Sequence, residues 1–184
     1  MNHKMEDLSL HILDIAENSI EAGAHNISIT IDEDVLKNLL SIEIADDGRG
    51  MSVEVAERAA DPFYTTRTTR RVGLGLAFLR EAAVAANGRL DISSTPGLGT
   101  TLKAVFQLSH VDRKPLGSMT ETILALMTTA ANIDILYTHR RNGRSVVLDT
   151  REIRHELGRV PLNSVGALSL IRDYLSQKEE TLAD

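Results

Sequence analysis

Asp14 and Asn18 are a pair of residues whose types and spacing suit chemistry. They stand four positions apart, so on a helix both side chains project from one face into the same space. An asparagine oxygen is a hard ligand of the kind that Mg²⁺ prefers, beside water and phosphate oxygens. A carboxylate one turn earlier can orient and deprotonate an attacking water or an acceptor hydroxyl. The pair therefore suits phosphoryl transfer, with Glu17 a weaker candidate base because it lies about 100° around the helix. The alternative is two polar residues on a solvated helix face.

A second candidate is a glycine-rich run at the start of a predicted helix, Gly73-Leu74-Gly75-Leu76. At the mouth of a helix, unpaired backbone N–H groups and the helix dipole favour phosphate oxygens. Guanidinium groups bind phosphate through paired hydrogen bonds. Three of them flank this helix mouth: Arg67, Arg70 and Arg71. Ordinary helix-capping glycines and an exposed basic loop are the alternatives.

Two further segments contain paired glycines, Asp46-Asp47-Gly48-Arg49-Gly50 and Gly97-Leu98-Gly99-Thr100. Asp46 ends an alternating strand, and the residues after it are on their own typical of a surface turn. Thr100 alone reads equally well as an ordinary strand threonine. The order and spacing of all four segments are more informative than any one of them.

In that order the segments resemble the GHKL, or Bergerat-fold, ATPases, which include DNA gyrase B, the heat-shock chaperone ATPase, the sensor histidine kinases and the MutL mismatch-repair protein. The resemblance covers about residues 5–110. It places Asn18 in the N box, Asp46 to Gly50 in the first glycine box, Gly73 to Leu76 in the second and Gly99-Thr100 in the third. Pro62-Phe63 is similar to the phenylalanine box, so the lid between Phe63 and Gly73 is expected to be short.

The resemblance implies that the chain binds ATP with Mg²⁺, and that Asn18 is the magnesium ligand. It implies that Asp46 accepts a hydrogen bond from the adenine amino group, which guanine lacks at that position. Gly48 and Gly50 then let backbone lie close to the base, and Thr100 hydrogen-bonds near the adenine. Asp47 is not expected to take part.

Two positions depart from the family pattern. Asp14 stands where hydrolytic and serine-kinase members usually carry glutamate, which is one methylene longer. Arg71 stands two positions before Gly73, where another glycine is usual. This arginine either restricts the lid or puts a cation beside the phosphates.

The hydrophobic patterns predict an α+β fold for residues 1–110, with helices on one face of a small, mostly antiparallel sheet. This two-layer α/β sandwich is also the Bergerat ATP-binding fold that the resemblance implies. Helices are predicted at 6–22, 52–60 and 75–86, and strands around 27–31, 40–44, 89–94 and 100–108.

Residues 111–184 are predicted to form a C-terminal extension with the order α-β-β-α-α and a role that the sequence does not define. A linker at 112–117 precedes elements at 120–131, 133–138, 144–148, 150–157 and 163–177. Arg141-Asn142-Gly143 is a hairpin signal. The extension either docks onto the sheet as part of one domain or forms a small second unit.

Composition excludes several classes of protein. The net charge of −6 and the absence of a Lys/Arg block argue against a nucleic-acid partner. With no run of 18 apolar residues and no apolar secretion signal, we expect no membrane span and a cytoplasmic location. The chain has no cysteine, which rules out disulfides and thiolate metal sites.

Three functions remain open. The leading hypothesis is a standalone histidine-kinase-like ATPase domain that regulates or phosphorylates a separate protein partner. The first box begins within about 15 residues of the start, so a complete sensor histidine kinase is not expected, and His11 is interpreted as a structural or surface residue. The alternatives are a conformational-switch ATPase similar to MutL and a non-catalytic ATP-binding interaction module. A homodimer stays open.

Overall fold

A computed structural model describes residues 7–59 and 74–183 of the chain. Its helices and strands follow the predicted order. They are α1 (Leu8–Glu21), β1 (Asn26–Asp34), β2 (Leu39–Asp46), α2 (Val53–Ala59), α3 (Leu74–Ala85), β3 (Arg89–Thr95), β4 (Gly99–Gln107), α4 (Met119–Thr129), β5 (Asp134–Arg141), β6 (Arg144–Asp149), α5 (Thr150–Leu157) and α6 (Val165–Ala183).

The strands form one open sheet in the order β3-β4-β2-β1-β5-β6. Every pairing is antiparallel except β1 with β5, which is parallel. The predicted α+β class and the mostly antiparallel sheet are thus confirmed. Because the extension supplies β5 and β6, a single sheet runs through both parts of the chain. Whether residues 1–110 and 111–184 act as separate domains stays a prediction.

One face of the sheet carries the core. Ile27, Ile29 and Ile31 alternate along β1 and are at most 1% exposed, as their period of two requires. They face α1, whose apolar stripe includes Leu8 and Ile12, both fully buried. The opposite face is polar, with Lys103 and Glu43 forming an ion pair at 3.3 Å across two strands. The result is the expected two-layer arrangement. No helix in the described ranges is both long and apolar enough to cross a membrane.

The extension also forms hydrogen bonds with the first turn of α1. The backbone N–H groups of Leu8 and Ser9 donate to the carbonyls of Pro115 and Leu116 at 2.9 and 2.7 Å. These are two of the donors that the first turn of a helix leaves unpaired. The Thr122 hydroxyl of α4 donates to the Ser9 carbonyl at 3.3 Å. The predicted linker is therefore hydrogen-bonded to the helix that carries Asp14 and Asn18.

A buried polar cluster joins β1, β5 and α6. His139 on β5 shares its ring nitrogens between Glu179, at 2.7 Å, and Glu33, at 3.0 Å. The Tyr137 hydroxyl donates to the other Glu179 oxygen at 2.6 Å, and Arg141 pairs with Glu33 at 3.4 Å. Burial by itself lowers the pKa of the His139 imidazole, but hydrogen bonds to the two carboxylates outweigh burial and raise it to about 9. The imidazolium thus links α6 to β1 and β5.

We predict that the free energy of unfolding falls as pH rises above neutrality. The His139 pKa is raised from 6.5 to about 9 in the folded protein, so its contribution is complete below pH 6.5 and is lost as pH passes 9. His139→Gln should lower stability at pH 7 by about 3 kcal/mol, because two buried carboxylates lose their shared cation. Urea unfolding between pH 6 and 10 measures both effects. His155→Gln, at an exposed histidine of α5, is the control and should keep the wild-type profile. Parallel pH profiles for wild type and His139→Gln would contradict the prediction.

Candidate functional site

Helices α1 and α3 run antiparallel and approach closely where Asp14 meets Gly75. A Cβ atom at Gly75 would lie 1.7 Å from the Asp14 Oδ2 atom, so the carboxylate occupies the place of a side chain. One turn away, the rings of His11 and Phe78 lie 6.4 Å apart between centroids, tilted by 53°. Gly75 is the second residue of α3. The Asp14 carboxylate therefore lies beside the helix N-terminus that was predicted to bind phosphate.

Asn18 lies one turn after Asp14 on α1, and both side chains are half-buried, whereas Glu17 is exposed. The helix ends three residues later, at Glu21, and Gly23 follows with a φ of +81°. Asp14 and Asn18 thus share a face at the C-terminal half of α1, as their spacing predicts. Both side chains offer hard oxygen donors, and Asp14 lies beside the N-terminus of α3, which fits a magnesium-bound phosphate group.

Asp46 is the last residue of β2, and both of its carboxylate oxygens accept hydrogen bonds. The Ser19 hydroxyl donates to Oδ2 at 2.7 Å, and the Gly48 backbone N–H donates to Oδ1 at 2.9 Å. Ser19 adjoins Asn18 on α1. The same helix therefore contacts both the predicted base-binding carboxylate and, through Asp14, the N-terminus of α3.

A polar row crosses the end of the sheet on the helix-covered face. Asp46 pairs with Thr100 on β4, and Thr100 pairs with Ser94 on β3. The row lies two residue pairs beyond Ile44 and Leu102, on the same face of the sheet, and it places polar groups where the apolar core ends. Asp46 and Thr100, predicted from separate segments, are thus direct neighbours.

Ser94 connects the polar row to the loop after β2. Its hydroxyl lies 2.9 Å from the Thr100 hydroxyl, accepts from the Met51 N–H at 2.8 Å and donates to the Gly99 carbonyl at 3.1 Å. Gly50, with a φ of +64°, passes so close to β3 that a Cβ atom there would lie 2.0 Å from the Thr95 carbonyl oxygen. The first and third glycine segments therefore form one compact unit.

Asp47 has a different role from Asp46. Its carboxylate accepts from the backbone N–H groups of His25 and Asn26 at 2.7 and 2.9 Å, and from the Asn26 side chain at 2.7 Å. The Asn26 side-chain hydrogen bond is the main reason that the pKa of Asp47 is lowered to about 2. Asp47 thus fastens the loop to the start of β1.

Four of the predicted site residues lie outside the described residues: Phe63, Arg67, Arg71 and Gly73. Leu74 is the first residue of α3, and Leu76 packs against the core with its side chain partly buried.

His11 is fully buried, which agrees with a structural role. Its Nε2 atom lies 3.2 Å from the Lys114 ammonium group. Burial, followed by the nearby Lys114 charge, lowers its pKa to about 4. The ring is therefore neutral at physiological pH.

The sequence interpretation missed Ser19 and Ser94. Ser19 stands in the apolar stripe of α1 and Ser94 in the apolar phase of β3, after Leu90 and Ile92. A polar residue in a buried phase was the available signal.

A cavity of about 350 Å³ also lies at the polar face of the sheet, where Ser28, Ala45 and Leu136 contribute to its lining. Asp14 and Asn18 do not line that cavity.

We predict that Gly75→Ala destabilises the protein by about 1–3 kcal/mol, because the new methyl group collides with the Asp14 carboxylate. Gly→Ala inside a helix otherwise stabilises by about 0.5–1 kcal/mol. Gly166→Ala in α6, where nothing lies within 4 Å of the new Cβ atom, is the matched control and should stabilise. Urea unfolding measures the stability of both variants. In an Asp14→Ala background, Gly75→Ala should lose its destabilising effect. Equal stabilisation by both alanines would show that Asp14 does not occupy this space.

Comparison with known proteins agrees with this geometry. Residues 4–110 match the family described as "Histidine kinase-, DNA gyrase B-, and HSP90-like ATPase". The "Non-motile and phage-resistance protein" of Caulobacter vibrioides is 30% identical over 112 residues, which cover 56% of this chain and 13% of that protein. "Sensor protein kinase WalK" of Staphylococcus haemolyticus is 32% identical over 95 residues, which cover 49% of this chain and 16% of that kinase. The chain thus spans less than a fifth of the length of either relative.

A solved structure supports the fold. The "N terminal domain of a DNA repair protein" superposes with a TM-score of 0.53 at 21% identity, covering 78% of this chain and 52% of that one. At this identity the likeness shows the fold alone. The matched family spans more than half of the chain and includes every segment from Asp14 to Thr100. Through residues 4–110, the chain belongs to the histidine kinase-, DNA gyrase B- and HSP90-like ATPase family.

Proposed function

We propose that this chain binds Mg²⁺-ATP at the end of the sheet and acts as a histidine-kinase-like regulator or protein kinase on a separate partner. The observation that carries the proposal is the double contact of α1, with Gly75 through Asp14 and with Asp46 through Ser19. These contacts are five residues apart, about 7.5 Å along the helix axis. One helix therefore lies along both the predicted phosphate end and the predicted base end of the site.

Each residue then has a defined task. Asn18 supplies an oxygen ligand to Mg²⁺, which in such sites neutralises phosphate charge. The first turn of α3 donates backbone N–H groups to phosphate oxygens. Asp46 accepts a hydrogen bond from the adenine amino group. Asp14 orients and deprotonates the acceptor, which is water in an ATPase and a hydroxyl or imidazole of the partner in a kinase.

A second candidate is a conformational-switch ATPase. It is favoured by the hydrogen bonds that tie Pro115, Leu116 and Thr122 to the first turn of α1. A shift of α1 on nucleotide turnover would reach the extension directly. A binding module without turnover is the third outcome, suggested by aspartate in place of glutamate at position 14. We place all three in the cytoplasm, with a homodimer as an open possibility for the assembly.

We predict that turnover depends on Asp14. With γ-labelled ATP and Mg²⁺, free phosphate and protein-bound label are followed together, without and with a cell extract as the source of partner. Asp14→Asn should reduce the release or transfer of label by about 100-fold or more, because a general base contributes about 10²–10⁴. Glu17→Gln, at the exposed neighbour on α1, should retain wild-type turnover. Turnover that survives Asp14→Asn would remove Asp14 from the mechanism, and no turnover in any sample would leave the binding module.

We predict separable binding defects for Asn18 and Asp46. In calorimetric titrations, Asn18→Ala should abolish the gain in ATP affinity that Mg²⁺ provides over EDTA. Asp46→Asn should reduce the preference for ATP over GTP by about tenfold or more, because an amide is no longer an obligate acceptor. Asp47→Asn is the control, since its carboxylate faces Asn26, and it should leave the ATP-to-GTP ratio unchanged. Unaltered ATP binding in both site variants would overturn the proposed pocket.

A further inference from the structure

Ser19 is a buried polar residue to which the proposed mechanism gives no task. It is 4% exposed and lies in the last turns of α1. Its hydroxyl is 3.3 Å from the Ile15 carbonyl, the usual acceptor for a serine inside a helix, but only 2.7 Å from Asp46 Oδ2. A hydroxyl has one proton, and a carboxylate is the stronger acceptor. The proton is therefore donated to Asp46.

The Ser19 bond completes the support of the Asp46 carboxylate. Gly48 N–H holds Oδ1 from the loop that follows β2, and Ser19 holds Oδ2 from α1. Two donors on different elements fix the rotation of the carboxylate about its Cβ–Cγ bond. Each oxygen keeps a further lone pair, so the group faces the site as an oriented acceptor. A base that offers an amino group pairs with it, and a base that offers a carbonyl oxygen is repelled.

We infer that Ser19 is a positioning residue that makes Asp46 discriminate a 6-amino purine from a 6-oxo purine. The inference rests on the proposed nucleotide-binding function and deepens it. Without the hydroxyl, Asp46 keeps only the Gly48 anchor and can turn its oxygens away from the base. The effect falls on base selectivity, and Mg²⁺ and phosphate binding should keep their strength.

The chain offers a matched control on the same helix. Ser9 is also 4% exposed, and its hydroxyl donates to the Asp7 carboxylate at 2.7 Å. Ser9→Ala removes the same kind of bond at the opposite end of α1. A general loss of helix stability would affect both variants, whereas loss of orientation at Asp46 would affect Ser19 alone.

The test is a calorimetric titration of the full chain with ATP and with inosine triphosphate, which differ at C6 by an amino group against an oxygen. Ser19→Ala should reduce the ATP-to-inosine-triphosphate affinity ratio about tenfold, mainly through weaker ATP binding. Ser9→Ala should keep the wild-type ratio. Ser19→Cys, which preserves shape but donates weakly, should lower the ratio as well and serves if the alanine variant does not fold. In an Asp46→Asn background, Ser19→Ala should change the ratio no further.

The outcomes separate the two proposals. Wild-type protein that prefers ATP, together with an unchanged ratio in Ser19→Ala or Ser19→Cys, overturns the role of Ser19 and leaves the proposed function standing. Wild-type protein that binds neither nucleotide overturns the proposed function and this inference with it. A ratio that falls equally in Ser9→Ala would assign the effect to helix stability and would also overturn the inference.

Discussion

The position of α1 is the constraint on which the rest of this structure depends. One face of the helix must fill the core over β1 and β2, and the adjoining face must present Asp14 and Asn18. Packing fixes the rotation of the helix because its buried stripe has no freedom to turn without opening cavities. The contact of Asp14 with Gly75 then fixes α3, and the contact of Ser19 with Asp46 fixes the end of the sheet. The same helix thus carries two predicted site residues and part of the hydrophobic core.

Most elements were predictable because their signals are local. The alternation of isoleucines gave β1 and β2, and the proline and glycine positions gave the ends of the helices. The ends that differ have a physical reason. Strand β5 runs to Arg141 instead of 138, because the side chains of His139 and Arg141 bind Glu33 on β1. The α6 helix likewise extends past 177, where Glu179 meets Tyr137 and His139. The parallel pairing of β5 with β1 was not predictable, since it joins strands about a hundred residues apart and leaves no periodic trace.

The candidate site was likewise predictable only in part. The four-residue spacing of Asp14 and Asn18 puts them on one face, and strand phase separates Asp46, in step with Ile42 and Ile44, from Asp47. What sequence spacing could not provide was tertiary contact. Gly75 was interpreted as a phosphate-binding glycine, and the structure adds that its missing side chain makes room for Asp14. A serine in a buried phase indicates a polar contact but not its partner, so the partners of Ser19 and Ser94 emerge only when distant elements are brought together.

The attachment of the extension bears on how any signal would leave the site. The first turn of α1 takes two of its backbone hydrogen bonds from the linker, and its Ser9 carbonyl accepts from α4. The C-terminal end of the same helix holds Asp46 through Ser19. Helices that pack into a core shift as units in many conformational transitions. A displacement of residues 115–122 would therefore act on the helix that carries Asp14 and Asn18 and that contacts Asp46 through Ser19. The extension thus contributes none of the predicted site residues, but it is hydrogen-bonded to the helix that carries two of them.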